Sequence, residues 1–209
     1  MPRMHRPAPI ATLTLVALSQ LLAAGAPRSA SGGAVLVSET FSGNSLPAGW
    51  KVDRDGIWSV KDGRLHAVLP DKKQTSSFVR IGSATWRNYS VDLDVCQVRG
   101  VDKGFAVRAN DDAGVGIDLR GGDLRDVVMY RGYAQLGKAA APNRAGQWNH
   151  LRVEVSGGRY RVYVDRLLKI DYTDRENHLP SGGIALSAYT GGTAECEVLY
   201  DNLVVRALP

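Results

Sequence analysis

Thiols and imidazoles are scarce in this sequence, which has two cysteines and four histidines in 209 residues. No pair among Cys96, Cys196, His5, His66, His150 and His178 has the spacing of a zinc site, and no histidine stands in a local nucleophile signature. Zinc chemistry and cysteine-protease chemistry are therefore unsupported. Runs of like charge are also missing. Arginine and lysine are scattered singly beside aspartate and glutamate, with no nucleic-acid motif, which argues against nucleic acid as a partner. After residue 31 no apolar run has a helical period, and no segment repeats. Methionine numbers only 3, whereas glycine reaches 23. The turn-forming pairs Asp62-Gly63, Gly121-Gly122, Gly157-Gly158, Gly182-Gly183 and Gly191-Gly192 recur at intervals suited to many short strands. An all-β domain follows from that punctuation.

The N-terminus has the layout of a targeting segment. Arg3, His5 and Arg6 make a basic start, Ile10 to Ala26 is apolar, and small residues continue through Ser31. Residues 1–31 are read as a secretory signal peptide cleaved near residues 25–31, with the folded domain over 34–209. Ala24-Gly25-Ala26 fits the small-x-small rule for cleavage, but Pro27 would follow directly, so a cut after Gly25 or near Ser31 is also open. The apolar run of about 17 residues is borderline for a membrane span and contains Thr, Ser and Gln, so no stable anchor is expected. Removing the segment lowers the formal charge from +5 to +2, because residues 1–31 carry Arg3, Arg6 and Arg28 and no acid. A secreted or cell-envelope monomer is expected. In an oxidising compartment, one disulfide between Cys96 and Cys196 is the natural expectation, with free thiols as its competitor.

The stretch Gly104 to Arg131 predicts three strands joined by tight turns. Phe105, Val107 and Ala109 alternate with Ala106, Arg108 and Asn110; Val115, Ile117 and Leu119 alternate with Gly116, Asp118 and Arg120. Period-two alternation lets Arg108, Asn110, Asp118 and Arg120 share one sheet surface. A cleaner alternation runs through Tyr89, Val91, Leu93 and Val95, with Asp92 and Asp94 on the polar face. Same-face neighbours on a strand lie about 7 Å apart. That is within the carboxylate spacing of roughly 5 to 9 Å used in glycoside hydrolysis, although a solvated acidic face reads the same way. Further on, Gly146 to Asp174 predicts a three-strand meander turning at Gly157-Gly158 and Asp165-Arg166, and Lys138 to Ala145 reads as a loop. About twelve antiparallel strands with meander spacing argue a two-sheet sandwich.

In order along the chain, Trp58 to Gly63, the YSVD of Tyr89 to Asp92, GFAVRAN from Gly104, GQWNHLRVEV from Gly146, VYVDRLLKIDYTD from Val162, SGGIALSAYTG from Ser181 and YDNLVV from Tyr200 resemble the concanavalin A-like lectin/glucanase superfamily. Within it the chain is similar to laminin-G-like modules, levanase-type carbohydrate-binding modules and the 3-keto-disaccharide hydrolase family. The resemblance implies a jelly-roll sandwich whose concave sheet holds ligands, with Arg108 on that surface and Asp118, Arg120, Tyr130 and Tyr189 as its neighbours. An arginine fork would donate to vicinal hydroxyls, an aspartate would accept, and an aromatic face would cover a sugar ring. The competing reading is an exposed Arg108–Asp118 ion pair of little energetic weight. The Glu-x-Asp-x-x-Glu signature of the superfamily's glucanases is missing, since the nearest strand, GVGIDLR, offers Asp118 alone. The resemblance also implies a structural calcium ion for which Glu39 and Asp201 would supply oxygens, or else Asp201-Asn202 caps a strand end.

Three functions follow as expectations. The first is a secreted carbohydrate-binding module that recognises a glycan on the sheet face holding Arg108, Asn110, Asp118, Arg120, Tyr130 and Tyr189. The second is a small glycoside hydrolase or lyase using Asp118, Asp92 or Asp94. The third is an adhesion or structural module that binds protein.

Overall fold

Alternation decides which side of each strand is buried. On the strand Tyr89–Arg99, Val91, Leu93 and Val95 are fully buried while Asp92 and Asp94 keep partial contact with solvent. The same pattern places Val115, Ile117 and Leu119 in the core and leaves Asp118 and Arg120 half-buried. These observations come from a computed structural model that describes residues 33–70, 73–111, 113–191 and 193–209. The stretch read as a signal peptide lies outside the described residues. Among the described residues no helix is long and apolar enough to cross a membrane.

The described residues form fifteen strands: β1 (Val35–Glu39), β2 (Lys51–Val52), β3 (Trp58–Lys61), β4 (Arg64–Leu69), β5 (Ser76–Ile81), β6 (Tyr89–Arg99), β7 (Asp102–Ala109), β8 (Val115–Arg120), β9 (Asp126–Arg131), β10 (Ala134–Ala140), β11 (Trp148–Ser156), β12 (Arg159–Val164), β13 (Leu167–Thr173), β14 (Gly183–Tyr189) and β15 (Cys196–Ala207). They make an eight-stranded sheet in the order β13-β12-β11-β6-β15-β4-β3, with β1 also paired to β15. The second sheet has seven strands, ordered β10-β9-β8-β7-β14-β5-β2. Every pairing is antiparallel. The count exceeds the expected dozen partly because β2 has two residues and because β10 occupies part of the expected loop. Apolar alternation is weak in β10, AQLGKAA, and its pairing with β9 makes it a strand despite that.

Apolar side chains from the two inner faces form one core, but two tyrosines cross it with polar tips. Tyr200, fully buried on β15 and stacked on Trp58, brings its hydroxyl 2.7 Å from the Gly104 carbonyl and 2.6 Å from that of Ser187, both in the other sheet. Tyr89 on β6 donates to the Gly183 carbonyl at 3.0 Å and accepts from the Arg108 amide at 2.6 Å. A buried phenol without such partners would cost a few kcal/mol, so these bonds specify how the sheets face each other.

Arg108 is not on the sheet surface. The pairing of β14 with β7 steps from Gly183–Ala109 to Ile184–Val107, so Arg108 is the extra residue of a bulge, with φ 52°. Its side chain is fully buried and donates to the carbonyls of Leu179 at 2.7 Å and Gly157 at 2.9 Å, clamping two loops. Gly182 faces the bulge so closely that a β-carbon there would sit 2.4 Å from the Arg108 carbonyl carbon. The bulge overrides the alternation from which a surface position was expected.

The expected disulfide does not form either, and Cys96 and Cys196 are free, buried thiols. Leu199, not Cys196, stands opposite Cys96 across the β15–β6 ladder. Cys196 shares the inward phase of Val198 and Tyr200, and Cys96 shares the outward phase of Asp92 and Asp94, so the two sulfurs lie on opposite faces of one sheet.

Two outcomes test this description. Burial raises the pKa of both thiols, that of Cys196 to about 11, so a thiol reagent should modify them only on unfolding, and reductant should leave the melting temperature unchanged. Arg108→Met should lower unfolding free energy in urea by about 3 kcal/mol, since the carbonyls of Leu179 and Gly157 lose charged donors and the cross-links they make. A loss below about 0.5 kcal/mol would remove the clamp.

Candidate functional site

On the outer face of the seven-stranded sheet, one transverse row is almost without side chains. Strand register sets Arg80 opposite Ala185, Ala185 opposite Ala106, Ala106 opposite Gly116, and Gly116 opposite Tyr130. The small residues leave a groove of about 310 Å3, walled by Phe78 and Arg80 at one side and Tyr130 at the other. Ala109, Asn110, Asp111, Ala113 and Gly114 line it as well. Tyr130 lies across Gly116, where an added β-carbon would come within 2.3 Å of the phenol ring. Glycine at 116 is thus a requirement of the close approach between that ring and the sheet backbone. Opposite, the Arg80 guanidinium sits 5.7 Å from the Phe78 ring centroid, and its Nε is buried without a hydrogen-bond partner.

Asp118 occupies the next row, opposite Val128 and Gly104, and is hydrogen-bonded by Tyr130. Burial pushes its pKa up to about 7, helped by the charge of Asp102 and opposed by the Tyr130 bond and Arg120. Asp102 is also raised, mainly by burial, and its Oδ1 is buried with no partner. Two half-buried carboxyl groups on neighbouring strands therefore resist simultaneous ionisation. Beyond them, Asp102, Arg120, Leu124 and Tyr189 line a more open depression of about 520 Å3. A polar, protonatable centre lies between two hollows of a size that suits small polyhydroxylated ligands.

The expected ligand residues divide accordingly. Asp118 and Tyr130 come together, and Asn110 sits at the rim, where it accepts from the Ala113 amide at 2.8 Å. Tyr189 lines the second depression and contacts Gln74 through its hydroxyl. Arg120 faces the same depression in a bidentate pair with Asp126, at 2.7 and 2.8 Å. Arg108 is absent from this face, and the arginine of the groove is Arg80. Phe78, Arg80, Asp102, Ala106, Gly116 and Ala185 were not foreseen. Their signal was the outward phase of β5, β7, β8 and β14, which is legible only once the register aligns the small residues.

Asp92 and Asp94 lie on the outer face of the other sheet, away from Asp118. His150 bridges them, with Nδ1 2.8 Å from Asp94 and Nε2 3.2 Å from Asp92, while Arg152 holds Asp92 at 2.6 Å and Glu154 at 2.9 Å. Burial alone would raise the Asp92 pKa, but bonds from His150 and Arg152 outweigh it and hold it low. His150 is raised, chiefly by its bond to Asp92. An ion-paired carboxylate held in its charged form, as Asp92 is, makes a poor proton donor. Glu39 accepts from the Phe41 amide at 2.6 Å and Asp201 from the Asn202 amide at 2.7 Å. No group of three or more His, Cys, Asp or Glu side chains that could hold a metal ion occurs among the described residues.

A family model described as the 3-keto-alpha-glucoside-1,2-lyase-like domain matches residues 37–206. A sequence search among curated proteins finds no match. Among solved structures, the chain is similar to the carbohydrate-binding module CBM66 from Bacillus subtilis, at 16% identity and TM-score 0.65, covering 78% of this chain and 98% of that one. A Bacillus subtilis protein with a galectin-like fold superposes at TM-score 0.71 with 13% identity, covering 84% and 97%. An endo-beta-1,3-glucanase from Pyrococcus furiosus does so at 0.63 with 10% identity, covering 83% and 94%. Identities this low establish the shared jelly-roll fold alone.

The Asp118 environment predicts a pH dependence. Its folded pKa, about 7, lies above the ordinary 3.8, so its contribution to stability is complete below pH 3.8 and is lost as pH rises through about 7. Asp118→Asn should match the parent in chemical denaturation near pH 4 and exceed it by about 4 kcal/mol at pH 8. Equal stabilities at pH 8 would mean that Asp118 ionises normally.

Proposed function

Since the chain belongs to the 3-keto-alpha-glucoside-1,2-lyase-like domain family, we propose that it is an exported protein that binds carbohydrate in the groove between Arg80 and Tyr130. The observation that carries this reading is the Gly116–Tyr130 apposition. It sets an aromatic ring against a floor of Ala106, Gly116 and Ala185, at the height where a sugar ring could lie over the sheet. Arg80 supplies a guanidinium with an unpartnered Nε for hydroxyl oxygens, and Phe78 covers an apolar sugar face. The known binding activity of CBM66, a carbohydrate-binding module by name, is in keeping with this reading.

A second reading, that the protein also transforms the sugar, is favoured by Asp118. A carboxyl group poised near pH 7 and hydrogen-bonded to Tyr130 suits a general acid or base beside the groove. Protonated, it would donate to a leaving oxygen; ionised, it would accept a proton from the sugar.

Glycan-array screening followed by calorimetry separates the two. Arg80→Ala and Tyr130→Ala should each weaken binding of the best glycan at least tenfold, whereas Arg152→Ala on the opposite sheet should leave it unchanged. Equal losses in all three would place the site elsewhere. For the second reading, incubation with the same glycan should release product in the parent, and Asp118→Asn should stop release while retaining affinity. Absence of product from the parent leaves binding alone as the function.

A further inference from the structure

At one end of the sandwich, a pocket of about 300 Å3 is lined by Gln97, Gly100, Gly121, Gly122, Arg125, Asn143, Arg144 and Ala145. Gln97 and Asn143 are each only 2% exposed, and each has a side-chain oxygen with no hydrogen-bond partner. Their amide nitrogens are engaged: Asn143 donates to the Leu119 carbonyl at 3.3 Å, and Gln97 donates to the carbonyl of Arg99. Those bonds orient the amides and identify the orphan atoms as acceptors. Gly100, at φ 95°, fits against Gln97, since a β-carbon there would lie 2.8 Å from its Nε2.

Arg125 and Arg144 add charge of one sign. Both are exposed, and neither guanidinium has a hydrogen bond or ion pair among the described residues. No Asp or Glu lines the pocket. Arg125 itself is held at φ 43°, a conformation that non-glycine residues rarely occupy. Buried acceptors without donors are uncommon in folded proteins and ask for a partner that supplies them.

We propose that this pocket is a second binding site, for an acidic sugar of the hexuronic acid class. The carboxylate would meet the two guanidinium groups, and ring hydroxyls would donate toward the Gln97 and Asn143 oxygens. A bare anion such as sulfate answers only the arginines, and a neutral sugar answers only the amides. A ligand bearing an anionic group and several hydroxyls satisfies both sets. The volume falls at the lower end of small-molecule sites, roughly 300 to 1,000 Å3, which suits one ring. The site goes beyond the groove between Arg80 and Tyr130 and stands without it.

Titration of the full chain with D-glucuronate, D-glucose and sodium sulfate, followed by NMR or calorimetry, tests the assignment. Glucuronate should bind at least tenfold more tightly than either control. The double variant Arg125→Ser/Arg144→Ser should lose that affinity at least tenfold with an unchanged melting temperature, and Tyr130→Ala should keep it. Four results would overturn the proposal. Equal binding of sulfate would mean a simple anion site, and equal binding of glucose would mean a neutral-sugar site. Loss on Tyr130→Ala alone would assign glucuronate to the groove, and no saturation by about 10 mM would mean that the pocket holds water only.

Discussion

The relation between the two sheets depends on phenolic hydroxyls that cross an otherwise apolar core. Tyr200 reaches the carbonyls of Gly104 and Ser187, and Tyr89 reaches the Gly183 carbonyl and the Arg108 amide. All four backbone groups belong to β7 and β14, the strands that also carry Ala106 and Ala185 in the groove floor. Dispersion and apolar burial hold sheets together but tolerate sliding. Directional bonds between one sheet's side chains and the other's backbone do not. The floor of the groove is therefore braced from beneath.

The two outer faces differ in how their charged groups are paired. On the eight-stranded sheet, Asp92, Asp94, His150, Arg152, Glu154 and Arg161 satisfy one another in a continuous network. On the seven-stranded sheet, Arg120 and Asp126 pair, but Arg80 keeps an orphan Nε, Asp102 keeps an orphan Oδ1, and Asp118 is held near neutrality. Unpartnered polar atoms occur on both faces, His66 Nε2 and Ser90 Oγ on the first, but on the second they belong to charged side chains beside the groove.

Much of this was legible in the sequence where periodicity is unbroken. The alternation through Tyr89 to Val95 and through Val115 to Arg120 assigns inward and outward residues correctly, so Asp118 is found on the surface as expected. Arg108 breaks the alternation, because a single extra residue at φ 52° reverses the phase and buries the side chain. Register was equally invisible. It alone reveals that Cys96 faces Leu199 and that Gly116 lies under Tyr130. The strand β10 escaped notice because pairing with β9, not apolar pattern, defines it.

The groove floor has a consequence for how such a protein diversifies. Ala106, Gly116 and Ala185 shape the cavity by what they omit, and none of their side chains takes part in the hydrogen bonds that join the sheets. Accretion of a methyl group at 106 or 185 would make the trough shallower without loosening the frame. Ligand choice can thus drift through small steric increments while the architecture stays under separate selection.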